Sequence, residues 1–364
     1  MKNTLGNNVS VTLFGESHGT AIGAVVDGLP AGISVNEDFI SHQLDLRRPV
    51  GKISTPRKEA DKFNIVSGVF NGKTTGTPIC IVIPNENTQS KDYSKTYGKA
   101  RPGHADYTAF CKYNGCEDYR GGGHFSGRIT AGLVAAGAIA IDLLSKKGVK
   151  IGTHISKCAG VEDDSFTEYE SNINTLSDKM FAVLNDEKGG QMIKNIENAG
   201  AQGDSVGGIL ETAVIGLPVG VGEPWFDSVE SVISHALFSI PAVKGVEFGA
   251  GFSCADMLGS KMNDCFTVTD GKITTKTNNN GGINGGITNG MPVIFRCAIK
   301  PTPSISKEQE TVDFIKKENT TLSVNGRHDP CIVHRARVVV DSITALALCD
   351  LLSQKFGTDW LGDN

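Results

Sequence analysis

The sequence predicts an α+β fold in which antiparallel hairpins surround a central helix and one structural unit occurs twice. The predicted strands come in consecutive pairs joined by glycine-rich turns, which favours antiparallel hairpins over a doubly wound parallel sheet. The helix predicted at 128–147 is apolar on nearly all sides, as expected of a helix in the middle of the molecule. Segments of the first half of the chain also recur in the second half, which indicates a duplication.

The predicted elements follow from apolar runs bounded by turn residues and from segments with helical periodicity. The predicted strands are 9–14, 21–27, 63–70, 77–83, 208–216 and 291–299. The predicted helices are 36–47, 104–114, 128–147, 228–238, 307–318 and 340–355. The Asn- and Gly-rich segment 277–290 has the composition of a flexible loop.

The internal repeat rests on three matches that keep the same order in both halves. Residues 15–32 align without a gap to residues 203–220, so that Glu16 corresponds to Asp204. The shorter matches pair ISHQL at 40–44 with ISHAL at 233–237, and NGKTTGTP at 71–78 with NGGITNGMP at 284–292. We interpret the chain as one domain, residues 1–364, made of two copies divided near residue 190 and packed about a pseudo-twofold axis.

Composition argues against several classes of protein. The chain has 364 residues and a formal net charge of −5, which argues against general nucleic-acid binding. Its longest apolar run starts at Ala131 and is cut by Asp142, and the N-terminus lacks an apolar signal segment, so we expect a cytoplasmic protein without a membrane span. The nine scattered cysteines form no C-x-x-C pair, which favours reduced, mostly buried thiols. The histidines lack metal-ligand spacing, so no metal site is predicted.

The arginines are nevertheless grouped in glycine- and proline-rich loops such as DLRRP, RPGHAD, RGGGHFSGR and GRHDP. Guanidinium groups and backbone N–H donors match phosphate oxygens, so the set favours a small polyanionic ligand, although each loop alone would be interpreted as a polar turn. A dinucleotide fingerprint is not supported, because RGGGHFSG follows no apolar strand and has a serine at the last required glycine. Walker A fails because only three residues separate Gly68 from Gly72.

His18 is set in the turn LFGESHG directly after a predicted strand. A lone histidine at a strand end is more often a hydrogen-bonded structural residue than a catalyst. The second copy of the turn, GDSVG, has Val206 at the corresponding position, so the fold requires the turn but not the histidine. This comparison favours a chemical role for His18.

The chain resembles the chorismate synthase family over essentially its whole length. The resemblance is carried by FGESHG, RPGHADY, RGGGHFSGRITA, GDSVGG, IPAVKG, NGGITNG and GRHDP, which occur in the family's order and spacing. It implies a β-α-β sandwich with a helical core between two four-stranded antiparallel sheets, and a homotetramer. It also implies conversion of 5-enolpyruvylshikimate 3-phosphate to chorismate and phosphate, a 1,4-anti elimination that needs reduced FMN without net oxidation or reduction.

The resemblance further assigns roles to single residues. His18 would be the acid for the departing phosphate, His104 the proton donor to the reduced flavin, and Asp329 the base at flavin N5. Ser17 and Ser126 would support the first histidine and the flavin region. The substrate's anionic groups would be held by Arg47, Arg48, Lys52, Arg101, Arg128 and Arg327. The flavin would be contacted by His124, Phe125, Ser126, Pro241, Ala242, Gly285, Lys300, Pro301, Thr302, Pro303, Ser304 and Arg327, with 277–290 ordering on binding.

Three positions depart from the family's common residues. His124 stands where an arginine is common, which replaces a permanent cation by a titratable group. Lys52 stands where an arginine is common, which keeps the charge but gives up bidentate geometry. Pro241 stands where an asparagine is common, which removes a side-chain donor and a backbone N–H.

Two other functions remain open from the sequence. A flavin-dependent oxidoreductase acting on an anionic metabolite would consume reducing equivalents stoichiometrically. A non-catalytic phosphometabolite-binding protein would keep the arginines, but the joint presence of His18, His104 and Asp329 argues against it. The sequence does not decide whether the protein reduces its own FMN with NADPH or depends on a separate flavin reductase, although the lack of a nicotinamide motif favours the second.

Overall fold

The computed structural model describes residues 2–49, 51–54, 60–86, 97–324 and 329–362. These residues form the predicted α+β sandwich of antiparallel sheets and helices. The strands are β1 (Thr4–Leu5), β2 (Ser10–Gly15), β3 (Ala21–Asp27), β4 (Asn64–Ser67), β5 (Val69–Phe70), β6 (Lys73–Thr74), β7 (Ile79–Pro84), β8 (Lys150–Cys158), β9 (Val161–Glu162), β10 (Gly208–Ile215), β11 (Val243–Phe248), β12 (Phe266–Thr269), β13 (Lys272–Thr275), β14 (Ile283–Asn284), β15 (Ile287–Thr288), β16 (Val293–Ile299), β17 (Gln309–Asp313) and β18 (Glu318–Leu322). The α-helices are α1 (Glu37–Leu46), α2 (Asp106–Tyr113), α3 (Thr130–Lys146), α4 (Tyr169–Leu176), α5 (Asp186–Ala201), α6 (Val229–Phe238), α7 (Gly259–Met262) and α8 (Val333–Phe356).

The two main sheets have the same topology. The first sheet has the order β1-β2-β3-β7-β4, and the second has the order β9-β8-β10-β16-β11, with antiparallel neighbours throughout. Each sheet thus contains four longer strands, the number that the family resemblance implies, plus a two-residue strand at one edge. In each set of four longer strands, the first strand along the chain pairs with the second, the second with the fourth, and the fourth with the third. This common order is the internal repeat that the sequence predicts.

All three sequence matches occupy corresponding places in the two units. The GESHG and GDSVG turns precede β3 and β10, the ISHQL and ISHAL segments lie in α1 and α6, and hairpins β5–β6 and β14–β15 lead into β7 and β16. The strands of the second unit begin at Lys150, before the division near residue 190 that the sequence suggests. One buried apolar cluster includes side chains from both sheets and from α3 and α8.

Helices α3 and α8 form the layer between the sheets, with α3 against the first sheet and α8 against the second. They cross closely at Gly137, where an added Cβ would lie 2.3 Å from Cβ of Ser342. By length and composition, Gly127–Lys146 could span a membrane. However, 72% of its apolar 18-residue window is buried inside the protein. Its composition is therefore also explained by a place in the core.

Several predicted elements are corrected by the structure. The helix predicted at 307–318 is wrong: the chain there begins the hairpin β17–β18, whose strands are rich in β-branched residues and whose turn contains Lys317 at φ 60°. The sequence analysis also missed β8, β11, α4 and α5. Four of the nine free cysteines are buried and four are exposed, so the expectation of mostly buried thiols is also wrong.

The segment 277–290 is not an open loop that awaits a ligand. Asp264 accepts hydrogen bonds from Thr277 Oγ1 at 2.6 Å, from the backbone N–H of Asn279 at 2.7 Å and from that of Asn280 at 2.8 Å. The rest of the segment contains the hairpin β14–β15. The expectation that this segment orders only on ligand binding is therefore corrected.

Candidate active site

Four loops meet at one place: the β2–β3 turn, residues 101–106, residues 120–128 and residues 300–304. Ser17 donates its backbone N–H to Gly123 O at 3.0 Å, which joins the first loop to the third. Arg101 Nη1 donates to Ser304 Oγ at 3.3 Å, which joins the second loop to the fourth. A fifth loop, residues 329–335, is connected to Arg47 through Arg335. All five loops contain residues to which a function is assigned from the sequence.

The β2–β3 turn fixes Ser17 and His18 in buried positions. Only 4% of Ser17 and 7% of His18 is exposed. Asn85, the residue after β7, donates from Nδ2 to the carbonyl oxygens of Glu16 and Gly19, each at 3.0 Å. These two hydrogen bonds stabilise the turn. His18 is therefore held by a backbone whose geometry does not depend on the histidine.

Three consecutive glycines separate the two predicted catalytic histidines. Gly121, Gly122 and Gly123 have φ values of 60°, 86° and 52°, a run of left-handed conformations that favours glycine. A Cβ at Gly121 would lie 2.2 Å from Cε1 of His18, and a Cβ at Gly122 would lie 3.2 Å from Cε1 and Nε2 of His104. The backbone of the glycine run thus packs between the two imidazoles.

His104 is held by a carboxylate. Its Nδ1 lies 2.7 Å from Oδ1 of Asp106, which also accepts from Nη2 of Arg101 at 2.7 Å. Burial acts to raise the pKa of Asp106, but the hydrogen bonds from Arg101 and His104 outweigh it and hold that pKa well below its usual range. Asp106 is therefore ionised, and it is a site residue that the sequence analysis quoted within a motif but did not assign.

A second buried carboxylate joins two of the predicted substrate-binding arginines. Asp61 forms one ion pair with Arg47 Nη1 at 3.3 Å and a second with Arg128 Nη1. Arg47 also donates from Nε to Thr130 Oγ1 at 2.9 Å, and Arg128 donates from Nε to Asn85 Oδ1 at 3.0 Å. Both guanidinium groups are buried, so a shared counter-ion reduces their mutual repulsion. Neither Asp61 nor Asn85 was found from the sequence, because no local pattern marks either residue.

Two of the other predicted cations, Arg48 and Lys52, are partly or fully exposed. Arg48 pairs with Asp45 at 2.6 Å and donates from Nη2 to the carbonyl oxygen of Ala60 at 2.6 Å. Lys52 is exposed on a short 3-10 turn, Gly51–Ile53. Arg327 lies outside the described residues.

Asp329 is oriented by an arginine that the sequence analysis did not assign. Arg335, near the start of α8, donates from Nη1 to Asp329 Oδ2 at 2.8 Å. The same guanidinium donates from Nε to the carbonyl oxygen of Arg47 at 2.9 Å. Arg335 therefore connects the loop of the predicted base to the loop of a predicted substrate-binding residue.

The loop 300–304 packs against the loop of His104. Lys300 Nζ donates to the carbonyl oxygen of Gly103, and a Cβ at Gly103 would lie 3.6 Å from Cβ of Pro303. Pro301 contacts Gly207, the last residue of the GDSVG turn, and Ser205 of that turn donates to the carbonyl oxygen of Thr302 at 2.7 Å. The second copy of the turn thus supports the loop, whereas the first copy carries His18.

Thr302 has a buried hydroxyl oxygen with no hydrogen-bond partner in the described part of the chain. Buried polar atoms in folded proteins nearly always have a partner, so an orphaned hydroxyl is a candidate ligand contact.

The other predicted flavin contacts are distributed over three places. His124 Nδ1 donates to the carbonyl oxygen of Gly15 at 2.8 Å, which places a proton on Nδ1. Phe125 is 40% exposed, and Ser126 accepts from the backbone N–H of Arg128 at 3.3 Å.

Pro241 is exposed, and Ala242 accepts from the backbone N–H of Lys300 at 2.9 Å. Gly285 lies in hairpin β14–β15, whose hydrogen bonds run to residues 218–229.

The arrangement can bind an anion, deliver a proton and hold a planar polar ligand. Buried guanidinium groups supply charge-assisted donors, and the two histidines supply imidazole nitrogens that can donate or accept a hydrogen bond. Among the residues that the structure describes, no cluster of three or more His, Cys, Asp or Glu side chains could hold a metal ion.

The chain is similar to known proteins over nearly its whole length. The family model described as chorismate synthase matches residues 9–352. The chain is 49% identical over 354 residues to a chorismate synthase of Dehalococcoides mccartyi, with 96% of each chain covered. It is 45% identical over 350 residues to one of Thermococcus kodakarensis, covering 96% of this chain and 97% of the relative. A solved structure titled "Crystal Structure of Chorismate Synthase" superposes with a TM-score of 0.76 at 30% identity and covers 98% of this chain and 94% of the other.

Proposed function

The chain belongs to the chorismate synthase family, which makes it a carbon–oxygen lyase of the shikimate route to aromatic amino acids, and from this premise we propose the chemistry of its site. The proposed reaction is the 1,4-anti elimination of phosphate from 5-enolpyruvylshikimate 3-phosphate, which yields chorismate. The observation that carries the assignment of the site is the position of His18 and His104 on either side of the Gly121–Gly122 backbone.

We propose that Arg47 and Arg128 bind the anionic groups of the substrate. The substrate carries a phosphate and two carboxylates, and guanidinium groups recognise both kinds of anion. Asp61 already holds the two side chains in place, so less side-chain entropy is lost on binding. Arg48, Lys52 and Arg327 are the further cations proposed for the same ligand.

We propose that His18 gives a proton to the departing phosphate. Breaking the C–O bond leaves negative charge on the phosphate oxygens, so a proton and nearby cations lower the barrier. The buried turn fixes the direction of the imidazole, and the backbone of Gly121 packs against the ring. Ser17 is the neighbouring hydroxyl proposed to support His18.

The residues around loop 300–304 fit reduced FMN. The hydroxyl of Thr302, which has no hydrogen-bond partner in the described part of the chain, could bind a polar atom of the flavin. The exposed ring of Phe125 could pack against the flavin rings, and Lys300 is a cation for its anionic groups. When bound, the reduced flavin supplies the electron density that helps to expel an allylic phosphate. The residues proposed to hold it are His124, Phe125, Ser126, Pro241, Ala242, Gly285, Lys300, Pro301, Thr302, Pro303, Ser304 and Arg327.

Two further residues are proposed to hold or accept protons. Because Nδ1 of His104 keeps its proton against Asp106, Nε2 is the atom that would take up a second proton and pass it to a ligand. Asp329 is the proposed base, and Arg335 sets the orientation of its carboxylate.

The proposed assembly is a homotetramer in the cytoplasm that depends on a separate flavin reductase. Large apolar side chains are exposed along one stretch of the chain, which favours self-association. They are Val219, Trp225, Phe226, Phe238, Phe252, Leu258, Phe266, Val268 and Ile273. Light scattering at micromolar concentration tests this assembly: we expect the mass of four chains, and a monomer would contradict it.

The proposed reaction is tested by anaerobic incubation of the purified protein with photoreduced FMN and 5-enolpyruvylshikimate 3-phosphate. We expect chorismate and inorganic phosphate in equal amounts. Phosphate release without chorismate would mean simple hydrolysis and would contradict the proposal.

A further inference from the structure

Asp106 is the meeting point of two predicted site residues, at the first residue of α2. Its Oδ2 accepts from the backbone N–H of Arg101 at 2.9 Å and from Nε at 2.8 Å, and its Oδ1 accepts from Arg101 Nη2 at 2.7 Å. Oδ1 also lies 2.7 Å from Nδ1 of His104. Four donors from two residues therefore converge on one carboxylate.

These contacts determine which nitrogen of His104 carries its proton. An ionised carboxylate only accepts hydrogen bonds, so a separation of 2.7 Å requires a proton on Nδ1. Nη2 of Arg101 lies 3.0 Å from Nδ1 of His104, and both nitrogens donate to the carboxylate of Asp106. Nε2 makes no hydrogen bond within the described part of the chain, and it is the nitrogen that faces the backbone of Gly122.

Arg101 places its fork on Asp106. Its Nε and Nη2 form a bidentate pair with Asp106, and its Nη1 reaches Ser304 Oγ at 3.3 Å. Arg101 therefore connects the start of α2 to the loop that contains Thr302.

We propose that Asp106 is a positioning residue, which holds His104 in the tautomer with Nε2 directed at the ligand. The proposal rests on the proposed function.

The chain contains a matched histidine–aspartate pair away from the site. His154 on β8 has Nδ1 at 2.9 Å from Oδ2 of Asp163, and both side chains are fully buried. Neither residue contacts any of the five site loops through a hydrogen bond in the described residues. Asp163→Asn therefore removes the same kind of pair without touching the site.

The tautomer is tested directly by 15N NMR of His104 in the ligand-free protein, at a pH where the imidazole is neutral. We expect the non-protonated nitrogen to be Nε2 in the natural protein and the two tautomers to mix in Asp106→Asn. A natural protein with its proton on Nε2 would overturn the proposal, whether or not the protein forms chorismate. This measurement also decides the matter if Asp106→Asn fails to fold.

Kinetics separate positioning from a purely structural role. For Asp106→Asn we expect kcat to fall roughly 100-fold or more, the scale of misdirected acid–base catalysis, with KM changed less than about 3-fold. For Asp163→Asn we expect a lower Tm and an unchanged kcat. Equal losses of kcat in both variants, or an unchanged kcat in Asp106→Asn, would overturn the role of Asp106.

If the natural protein forms no chorismate, the proposed function fails, while the NMR measurement still tests the position of the proton on His104.

Discussion

The imidazole of His18 rests against the backbone of Gly121, where an added Cβ would lie 2.3 Å from Nδ1. No side chain fits at that distance, and φ of Gly121 is 60°, so a substitution both displaces the ring and strains the backbone. We expect Gly121→Ala to lower turnover by roughly 100-fold or more, the scale of a misplaced general acid. Gly190→Ala, in α5 with nothing within 4 Å, is the control and should leave turnover unchanged. Full turnover in Gly121→Ala would contradict the assignment of His18.

His18 corresponds to Val206 in the second turn, so valine is compatible with this local fold. We expect His18→Val to keep the fold while turnover falls by about two to four powers of ten, typical of a lost general acid. A circular dichroism melt follows the fold, and single-turnover phosphate release follows the chemistry. A large drop in Tm with normal phosphate release would make His18 a structural residue.

Arg128 is proposed to bind the substrate, and it also forms an ion pair with Asp61. Variants of the two residues separate these roles. We expect Arg128→Ala to weaken substrate binding by about 1.5–3 kcal/mol, the usual contribution of a charged hydrogen bond, and to lower Tm because Asp61 loses a counter-ion. In the double variant Arg128→Ala/Asp61→Asn we expect Tm to fall further, because the buried Arg47 then loses its counter-ion, and substrate affinity to stay low. Calorimetric titration measures the affinity. Unchanged affinity in a folded Arg128→Ala protein would remove Arg128 from the site.

His154 makes stability depend on pH. Burial acts to lower its pKa, but the hydrogen bonds to Asp163 and Glu211 outweigh burial and raise the pKa above the ordinary value of 6.5. The charged form is therefore favoured in the folded state, so its contribution is fully present below about pH 6.5 and is lost as the pH rises through the raised pKa. We expect urea unfolding to show this loss in the natural protein and not in His154→Gln. Identical pH dependence in the two proteins would refute the assignment.

The repeat could be predicted because local sequence determines the segments that match. Turns, helix starts and hairpins are set by nearby residues, so GESHG and GDSVG identify corresponding turns without any knowledge of the fold. The helix predicted at 307–318 was wrong because the prediction used local residues alone. Its Lys and Glu residues suit a helix, but pairing of Gln309–Asp313 with Glu318–Leu322 decides the structure.

Asp61 could not be found in this way. It matters because Arg47, 14 residues before it, and Arg128, 67 residues after it, both form ion pairs with it, and no local pattern predicts such contacts. Thr302 was named from the family resemblance, but the lack of a partner for its buried hydroxyl in the described part of the chain is a property of the packed protein. Asp106 was visible inside RPGHAD, but its four hydrogen bonds depend on the turn of that loop.

The proposed elimination consumes no reducing equivalents, and this property separates it from an oxidoreductase reaction. Oxidised FMN alone should give no chorismate, since it lacks the electron density that helps to expel phosphate. NADPH added with oxidised FMN should also fail if a separate reductase is required, as the missing dinucleotide fingerprint indicates.

The most direct test is the ratio of chorismate formed to flavin oxidised under strict anaerobiosis, followed together by absorbance. With one charge of photoreduced FMN, we expect many equivalents of chorismate and a flavin that is still reduced at the end. A ratio near one would mean that each turnover consumes the reduced flavin, and it would contradict elimination without net redox change.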